Sequence, residues 1–375
     1  MSKVCHIISG LSTGGAERAL WRLLTNGLQD DFDNSVICLA GAGTIGKAIA
    51  DAGVPVHVLD LKRPADGIQG IIKLRRLLKM IRPDLLQGWM YHGNLAALAG
   101  RFAAGLNVPV SWNIRQGLDD LNGDKFSTRQ AIRVGAYLST RPAAIIYNSS
   151  ASAREHEAFG YAAKAGLLIP NGFETEIVHP DEQRGIATRA KYALPRDGFV
   201  FVHLARWHAM KDQASFIEAA AMCARENGSC HFFLAGRGVA ANATQIIAGL
   251  EPDIRSRFYL HDEIDDPVDV LQAANSLVVS SNRAEGFPNV LGEAMLTATA
   301  CITTDVGDSP SVTGETGLIV PHSNPRALHD AMMTLINNQA LAQTLGRAGR
   351  ERVVQKYDIK AVVALYRALY TAITH

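Results

Sequence analysis

The stretch IPNGFETEIVHPDEQRGIATRAKYALPRDGF, residues 169–199, is polar and punctuated by Pro170, Gly172, Pro180, Gly185, Pro195 and Gly198. At its end a fresh apolar run begins, Phe199-Val200-Phe201-Val202-His203-Leu204. Before it, short β-branched and aromatic runs at 4–9, 35–39, 54–59, 85–88, 108–112 and 144–147 alternate with amphipathic helical patterns such as 16–28 and 71–81. After it the alternation restarts, with runs at 200–204, 231–235, 258–261, 276–280, 300–303 and 317–320 and a helical pattern at 212–226. Strands alternating with helices mean parallel sheets, because parallel neighbours need a long crossover. The passage therefore divides two doubly wound α/β domains, joined near 172–198. The expected divisions are 1–175, 176–356 and a final helix within 357–375. That helix carries apolar residues at 359, 362, 363, 366, 369, 370 and 373, one helical stripe, with Asp358 as its N-cap.

Composition agrees with this organisation. A length of 375 residues asks for two domains or more. Lys plus Arg number 37 against 36 Asp plus Glu, which argues against nucleic-acid binding through bulk positive charge. Apolar residues at 47% and charged residues at 19% exclude a disordered chain. The five cysteines form no C-x-x-C pair, so neither a disulfide framework nor a zinc site is expected, and a reducing compartment fits. The apolar run at 4–8 is too short for a signal-peptide core. The best candidate for a spanning segment, 95–112, is broken by Gly100, Arg101, Gly105, Asn107 and Pro109. A cytoplasmic protein is the expectation.

Three motifs carry chemistry. Glu285-Gly286-Phe287-Pro288-Asn289-Val290-Leu291-Gly292-Glu293 follows a buried-looking strand and opens a helix, with Pro288 suited to the first turn. Free amides from Phe287 to Leu291 would point out of the helix start, where phosphate or anionic oxygen binds readily. A capped helix with two solvated glutamates explains the same spacing. Arg206-Trp207-His208-Ala209-Met210-Lys211 follows the first strand of the second domain, placing two cations at a strand's carboxyl end, where α/β sheets bind ligands. Ordinary surface cations are the alternative. Gly14-Gly15-Ala16-Glu17-Arg18, at the first strand-helix turn, lets backbone approach a phosphate or sugar closely.

Other patterns are weaker. Gly41-Ala42-Gly43-Thr44-Ile45-Gly46 is a literal G-x-G-x-x-G with Asp60 beyond it, the spacing of a dinucleotide site, but its helix and βαβ unit are short. Asp31-Phe32-Asp33 is a D-x-D that precedes a strand instead of ending one. His92, after the run at 85–88, stands at the ligand end of its strand. Along residues 71–82, Ile71, Leu74, Leu77, Leu78 and Ile81 take one helical face, and Lys73, Arg75, Arg76, Lys79 and Arg82 take the other. The apolar face is expected to pack on a sheet, and the basic face fits either solvent or an anionic membrane.

Together the motifs resemble the family-4 retaining glycosyltransferases of GT-B fold, two facing Rossmann-like domains with the active site in the cleft between them. The resemblance runs nearly end to end. Arg206 and Lys211 match the R-x4-K pair, and Glu285 and Glu293 match the E-x7-E motif. Ala235-Gly236-Arg237-Gly238 matches the G-x-G turn, Ile169-Pro170-Asn171-Gly172-Phe173-Glu174 the inter-domain passage, and Glu315 to Pro321 the segment near the domain's end. The final helix resembles the one that crosses back onto the first domain.

The resemblance implies the following roles. Arg206 and Lys211 hold the diphosphate of a nucleotide-sugar and stabilise its charge as it leaves, in place of a metal. Glu285 contacts the donor sugar, with Gly286, Phe287, Pro288, Asn289, Val290 and Leu291 around it, and Glu293 holds the ribose hydroxyls. Gly14 and Gly15 approach the phosphate, Gly236 and Arg237 belong to the donor site, and Glu263 and Ile264 lie where the base sits. His92 and Arg115 serve the acceptor. Substitution on one face, the leaving phosphate helping to take the acceptor's proton, needs no dedicated nucleophile, and no cofactor is implied beyond the nucleotide-sugar co-substrate. The chain departs from the family at Ala205, where Gly is common before the Arg, and at Asp308 and Ser311 in the Gly307-Asp308-Ser309-Pro310-Ser311 turn. It also carries Asn113-Ile114-Arg115-Gln116-Gly117 where many relatives place a His, so Arg115 is expected to hold phosphate or acceptor.

The resulting expectation is a retaining, metal-independent transferase. It would move a hexose or N-acetylhexosamine from a UDP-sugar to a glycan acceptor, lipid-linked, in surface polysaccharide or glycoconjugate synthesis, peripheral on the cytoplasmic face of the membrane. A nucleotide-sugar epimerase of the same architecture and a dinucleotide-dependent oxidoreductase using Gly41–Gly46 are the alternatives.

Overall fold

The computed structural model describes residues 1–12, 14–61, 67–118, 121, 125–283 and 285–374. The chain forms two compact units, Met1–Gly172 with Asp358–His375, and Phe173–Tyr357.

The first unit is a seven-stranded parallel sheet in the order β3-β2-β1-β4-β5-β6-β7. Its strands are β1 Ser2–Ile8, β2 Phe32–Cys38, β3 Val56–Val58, β4 Leu85–Trp89, β5 Val110–Ile114, β6 Ala144–Tyr147 and β7 Gly166–Leu168. Its helices are α1 Gly15–Leu23, α2 Gly43–Asp51, α3 Gly67–Ile81, α4 Met90–Ala104, α5 Phe126–Leu138 and α6 Ser150–Phe159. The chain winds outward from β1 to β3, crosses back to β4, then winds the other way. Right-handed crossovers in opposite directions put α1 and α2 on one face and α3, α4 and α5 on the other. Two separate cores follow. Leu20, Leu23, Val36 and Ile49 pack on the first face, and Leu74, Leu78, Ala97 and Ile132 on the second.

The C-terminal helix Ile359–Thr374 completes the first face with Ile359, Val362, Val363, Tyr366 and Tyr370. Asp358 caps it, accepting the amides of Lys360 at 2.8 Å and Ala361 at 3.3 Å. Leu369 and Ile373, on the same predicted stripe, pack only partly.

The second unit is a six-stranded parallel sheet in the order β10-β9-β8-β11-β12-β13. Its strands are β8 Phe199–Leu204, β9 Cys230–Ala235, β10 Phe258–His261, β11 Ser276–Val279, β12 Ala300–Thr304 and β13 Gly317–Val320. The helices that matter for the site are α7 Gln213–Glu226, α8 Val239–Ile247 and α9 Asn289–Leu296.

Two strands depart from expectation. β7 has all three residues exposed, so it leaves no apolar signature. β2 begins at Phe32, because Ser2 pairs with Phe32 and the ladder runs in step from there. That places Asp33 inside a strand, and Asp31 pairs with Arg367 at 2.5 Å. All five cysteines are buried, and burial pushes the Cys5 and Cys301 thiols up to about 12. No helix among the described residues is long and apolar enough to cross a membrane.

Candidate active site

In the second unit the expected donor residues gather at the carboxyl ends of four neighbouring strands. Glu263 and Ile264 follow β10, Gly236 and Arg237 follow β9, Arg206 and Lys211 follow β8, and Glu285 to Glu293 follow β11. This is the edge at which open α/β sheets take ligands. Gly236 has a φ of +145°, and a Cβ there would stand 2.1 Å from the Ala205 carbonyl oxygen, so only glycine lets the β9 turn pass under the Arg206 loop. Trp207 N–H then donates to Arg237 O at 2.9 Å and locks the two turns together.

Lys211 and Glu285 form an ion pair across adjacent loops. Glu285 is nearly buried, its side chain 8% exposed against 22% for Lys211. The same carboxylate oxygen accepts the Ser281 hydroxyl at 2.5 Å. Beneath the pair the two loops are laced by hydrogen bonds. Asn282 donates its backbone N–H to Met210 O at 2.9 Å, and Ser280 donates its hydroxyl to Lys211 O at 2.9 Å. His203 reaches the Ser280 oxygen at 3.1 Å from inside β8. Burial, then the nearby Lys211 charge, pushes His203 down to about 4, so the imidazole stays neutral at pH 7 and adds no second cation under Lys211. Gln213 donates to Arg206 O at 2.9 Å and fixes the start of the loop. None of Ser280, Ser281, Asn282, His203 or Gln213 stood out in the sequence. The contacts of His203, Ser280 and Asn282 join segments about 70 residues apart, and no local spacing reports that.

The guanidinium groups of Arg206 and Arg237 are exposed and make no hydrogen bond or ion pair among the described residues. Glu263 is exposed, and Ile264 packs partly on the core. The edge thus offers free cations beside one held by a carboxylate.

The E-x7-E segment is built more tightly than its spacing suggests. Pro288 precedes α9 as its N-cap, with φ −70° and ψ 109°, instead of standing in the first turn. The Leu291 amide donates to Pro288 O at 3.1 Å, so it is not among the free amides, and its side chain is fully buried. The Phe287 ring is in the core, its centre 5.8 Å from that of Phe173 and 5.1 Å from that of Tyr357. The Asn289 backbone begins the helix, and Val290 packs partly on the same core. Glu293 is buried at 5% exposure. Gly286 accepts the Asp308 amide at 3.3 Å, and Gly307 passes so close to Glu285 that a Cβ there would lie 1.7 Å from its carbonyl oxygen. The 307–311 turn, a departure from the family pattern, therefore meets the Glu285 backbone directly.

In the first unit Gly14 is the N-cap of α1 and Gly15 its first residue. Glu17 folds back toward Gly14, and burial raises its carboxyl above the ordinary range. An open groove of about 270 Å³ lies over this turn, bordered by Ser9, Gly10, Gly15, Glu17, Met90 and Arg115. Arg115 enters it from the end of β5. Its Nη1 donates to Asn113 Oδ1 and to the Tyr366 hydroxyl, both at 3.3 Å, its Nη2 donates to Asn171 Oδ1, and its guanidinium stands 5.6 Å from the Trp89 ring centre. The Arg115 pKa is lowered by burial, from a value so high that the group remains a cation. His92 is exposed in the first turn of α4 and does not border this groove; Met90 does.

The G-x-G-x-x-G match cannot cradle a pyrophosphate as it stands. Leu11 O accepts the amides of Ile45 at 3.1 Å and Gly46 at 3.3 Å, and a Cβ on Gly43 would lie 2.7 Å from that same oxygen. The helix start is occupied by the chain's own backbone.

Comparison with known proteins matches a separate family model to each of the two units. A family model described as "Glycosyl transferases group 1" matches residues 198–338, and one described as "Glycosyl transferase 4-like domain" matches residues 14–172. The chain is similar to the capsular polysaccharide biosynthesis glycosyltransferase CapM of Staphylococcus aureus, 33% identical over 109 residues. That match spans 28% of this chain and only 28% of CapM. It is also similar to the UDP-Gal:alpha-D-GlcNAc-diphosphoundecaprenol alpha-1,3-galactosyltransferase of Escherichia coli, 22% identical over 379 residues, 98% of this chain and 96% of the relative. Among solved structures, Anabaena Alr3699/HepE in complex with UDP shares the fold, with a TM-score of 0.85 at 19% identity over 99% of this chain and 100% of that one.

Proposed function

The chain belongs to the glycosyltransferases of GT-B fold, of the group 1 and 4-like kind, and on that premise we propose that it moves a hexose or N-acetylhexosamine from a UDP-sugar to a lipid-linked saccharide. The observation that carries this reading is the Lys211–Glu285 pair beside Arg206, unpaired among the described residues, at the carboxyl ends of the adjacent strands β8 and β11. Arg206 and Lys211 offset the charge that grows on the departing diphosphate, a preorganised arrangement that does a divalent ion's work without one. Glu285, oriented by Lys211 and Ser281, faces the donor sugar. Glu293 takes the ribose. The sugar keeps its anomeric configuration: the acceptor oxygen bonds to the anomeric carbon on the face from which the phosphate oxygen leaves, and the acceptor's proton passes to that phosphate.

Arg115 holds an anionic group of the acceptor. The relative from Escherichia coli acts, by its name, on a diphospholipid-linked sugar, which supports an acceptor of that chemistry. Such an acceptor lies in a bilayer, and Lys73, Arg75, Arg76, Lys79 and Arg82 on and after α3 give the protein a peripheral contact with an anionic cytoplasmic membrane face. The test is turnover of UDP-sugars with a short-chain lipid diphosphate saccharide, the product's anomer read by NMR. An α-linked product from an α-linked donor, formed in the presence of chelator, is expected. An inverted product, a chelator-dependent rate, or an epimerised donor without acceptor would each refute part of the reading.

A further inference from the structure

Arg115 borders a second cavity besides the groove over the first strand-helix turn. It is small, about 10 Å³, room for one water-sized group, and it lies among α1, the 170–172 passage and the C-terminal helix. Its walls are apolar at Leu23, Ile359 and Val362, and its polar side chains are Arg22, Arg115 and Tyr366. No carboxylate borders it among the described residues.

All three polar groups offer hydrogens. Tyr366 is fully buried, and its oxygen accepts from Asn113 Nδ2 at 2.7 Å and from Arg115 Nη1 at 3.3 Å. Both lone pairs are thus taken, and its own O–H meets no acceptor among the described residues. Burial raises the phenol above its ordinary range, so it stays protonated at pH 7 and remains a donor. Arg115 makes three hydrogen bonds with a fork of five N–H groups, which leaves donors over. The Arg22 charge lies near enough that, after burial, it helps to lower the Arg115 pKa. A buried hydroxyl hydrogen without an acceptor is costly, and so are two guanidinium groups drawn together in apolar surroundings. A cation in the last turn of α1 suits the helix dipole, which accounts for Arg22 being there but not for its meeting a second cation. One anion among the three groups removes both costs. It replaces a repulsion by two attractions and gives the hydroxyl its acceptor.

We propose that Arg22, Arg115 and Tyr366 form a site for one monatomic anion, chloride being the ordinary one, beside the groove and separate from it. Size decides the class. A phosphate or a carboxylate brings several heavy atoms where there is room for about one, whereas a halide is a single atom little larger than a water. The bound ion ties together three segments far apart in the sequence, α1, the loop after β5 and the C-terminal helix. It asks nothing of a nucleotide-sugar, so it stands or falls apart from the transferase reading.

Crystals of the full chain soaked in sodium bromide give the direct test. An anomalous peak in contact with Arg22, Arg115 and the Tyr366 hydroxyl is expected. In solution, replacing sodium gluconate by sodium chloride at constant ionic strength should raise the unfolding temperature of the wild type, by about 3 to 6 °C at chloride about ten times its dissociation constant. Arg22→Gln should abolish that shift, and Tyr366→Phe, which keeps the ring, should raise the chloride midpoint about tenfold. No peak at the site in wild-type crystals would overturn the proposal, as would a chloride shift of equal size in Arg22→Gln. A bromide peak with no chloride shift in the wild type, an adventitious ion only, would overturn it too. Should Arg22→Gln not fold, the wild-type peak and the Tyr366→Phe midpoint still decide. UDP binding, measured alongside, reports on the other reading: its absence with the halide effect intact would sink the donor site and leave this one.

Discussion

Each of the two sheets holds a cation at its carboxyl edge, and the two are held differently. Lys211 meets a nearly buried carboxylate, Glu285. Arg115 has no carboxylate partner among the described residues; it is hydrogen-bonded by Asn113, Asn171 and the Tyr366 hydroxyl, lies near the Trp89 ring, and feels the repulsion of the Arg22 guanidinium. A cation paired with a carboxylate is fixed in place and its charge is largely cancelled until an anion arrives. One held by amides and a phenol keeps its full field toward solvent. The first arrangement suits a group whose charge develops during a reaction. The second suits a ligand that arrives already charged. That difference is what the proposed donor site in the second unit and acceptor anchor in the first rest on.

The largest expected effect removes the donor cations. Arg206→Met or Lys211→Met should lower kcat/KM by about 10² to 10³, as loss of a preorganised donor does elsewhere. Lys211→Met also leaves Glu285 facing Ser281 alone, so its unfolding temperature should fall. Adding Glu285→Gln should restore stability without restoring turnover. Recovery of turnover in that double variant would erase the distinction between the two sites.

Gly307→Ala should cost about 2 to 3 kcal/mol in chemical unfolding. The residue has φ +58°, and the added methyl would overlap the Glu285 carbonyl. A neutral outcome would mean that the Glu285 backbone is freer than its contacts indicate.

Acid distinguishes the units next. Burial pushes His6, His156 and His203 down to about 4. Each has a folded pKa below its unfolded value near 6.5, so the unfolded chain binds the extra proton first. The stability they support is whole above about pH 6.5 and is lost as pH falls toward 4, on the order of 2 kcal/mol per imidazole by pH 5. Replacing His6 and His156 by Gln should flatten this limb about twice as much as replacing His203, read from unfolding midpoints between pH 7 and 5.

The smallest effect sharpens the contrast most. Arg115→Met should raise the acceptor KM about tenfold while leaving UDP affinity unchanged. A weakened UDP affinity would move Arg115 to the donor side.

The sequence pattern carried the sheets well where a strand is buried on both faces, as at β8 and β12, and failed at β7, which buries nothing. Among site residues, those in a dense local pattern, Arg206 with Lys211 and Glu285 with Glu293, were legible from spacing. Ser280 and Asn282 were not, because each bonds a loop about 70 residues away in the chain. The helix starts at 289, one position later than the sequence suggests, because Pro288 suits either N1 or the cap and only the ψ of 109° decides. The outward turn of Ile71 was hidden for a similar reason. Gly70 supplies the inner row without an apolar side chain to announce it.

Titration calorimetry of UDP against uridine, on the wild-type chain and on Arg206→Met and Lys211→Met, tests the central claim most directly. UDP is expected to bind the wild type at least tenfold more tightly than uridine, and each variant to lose most of that advantage while uridine binding holds. Equal loss for both ligands, or an unchanged UDP advantage in both variants, would contradict it.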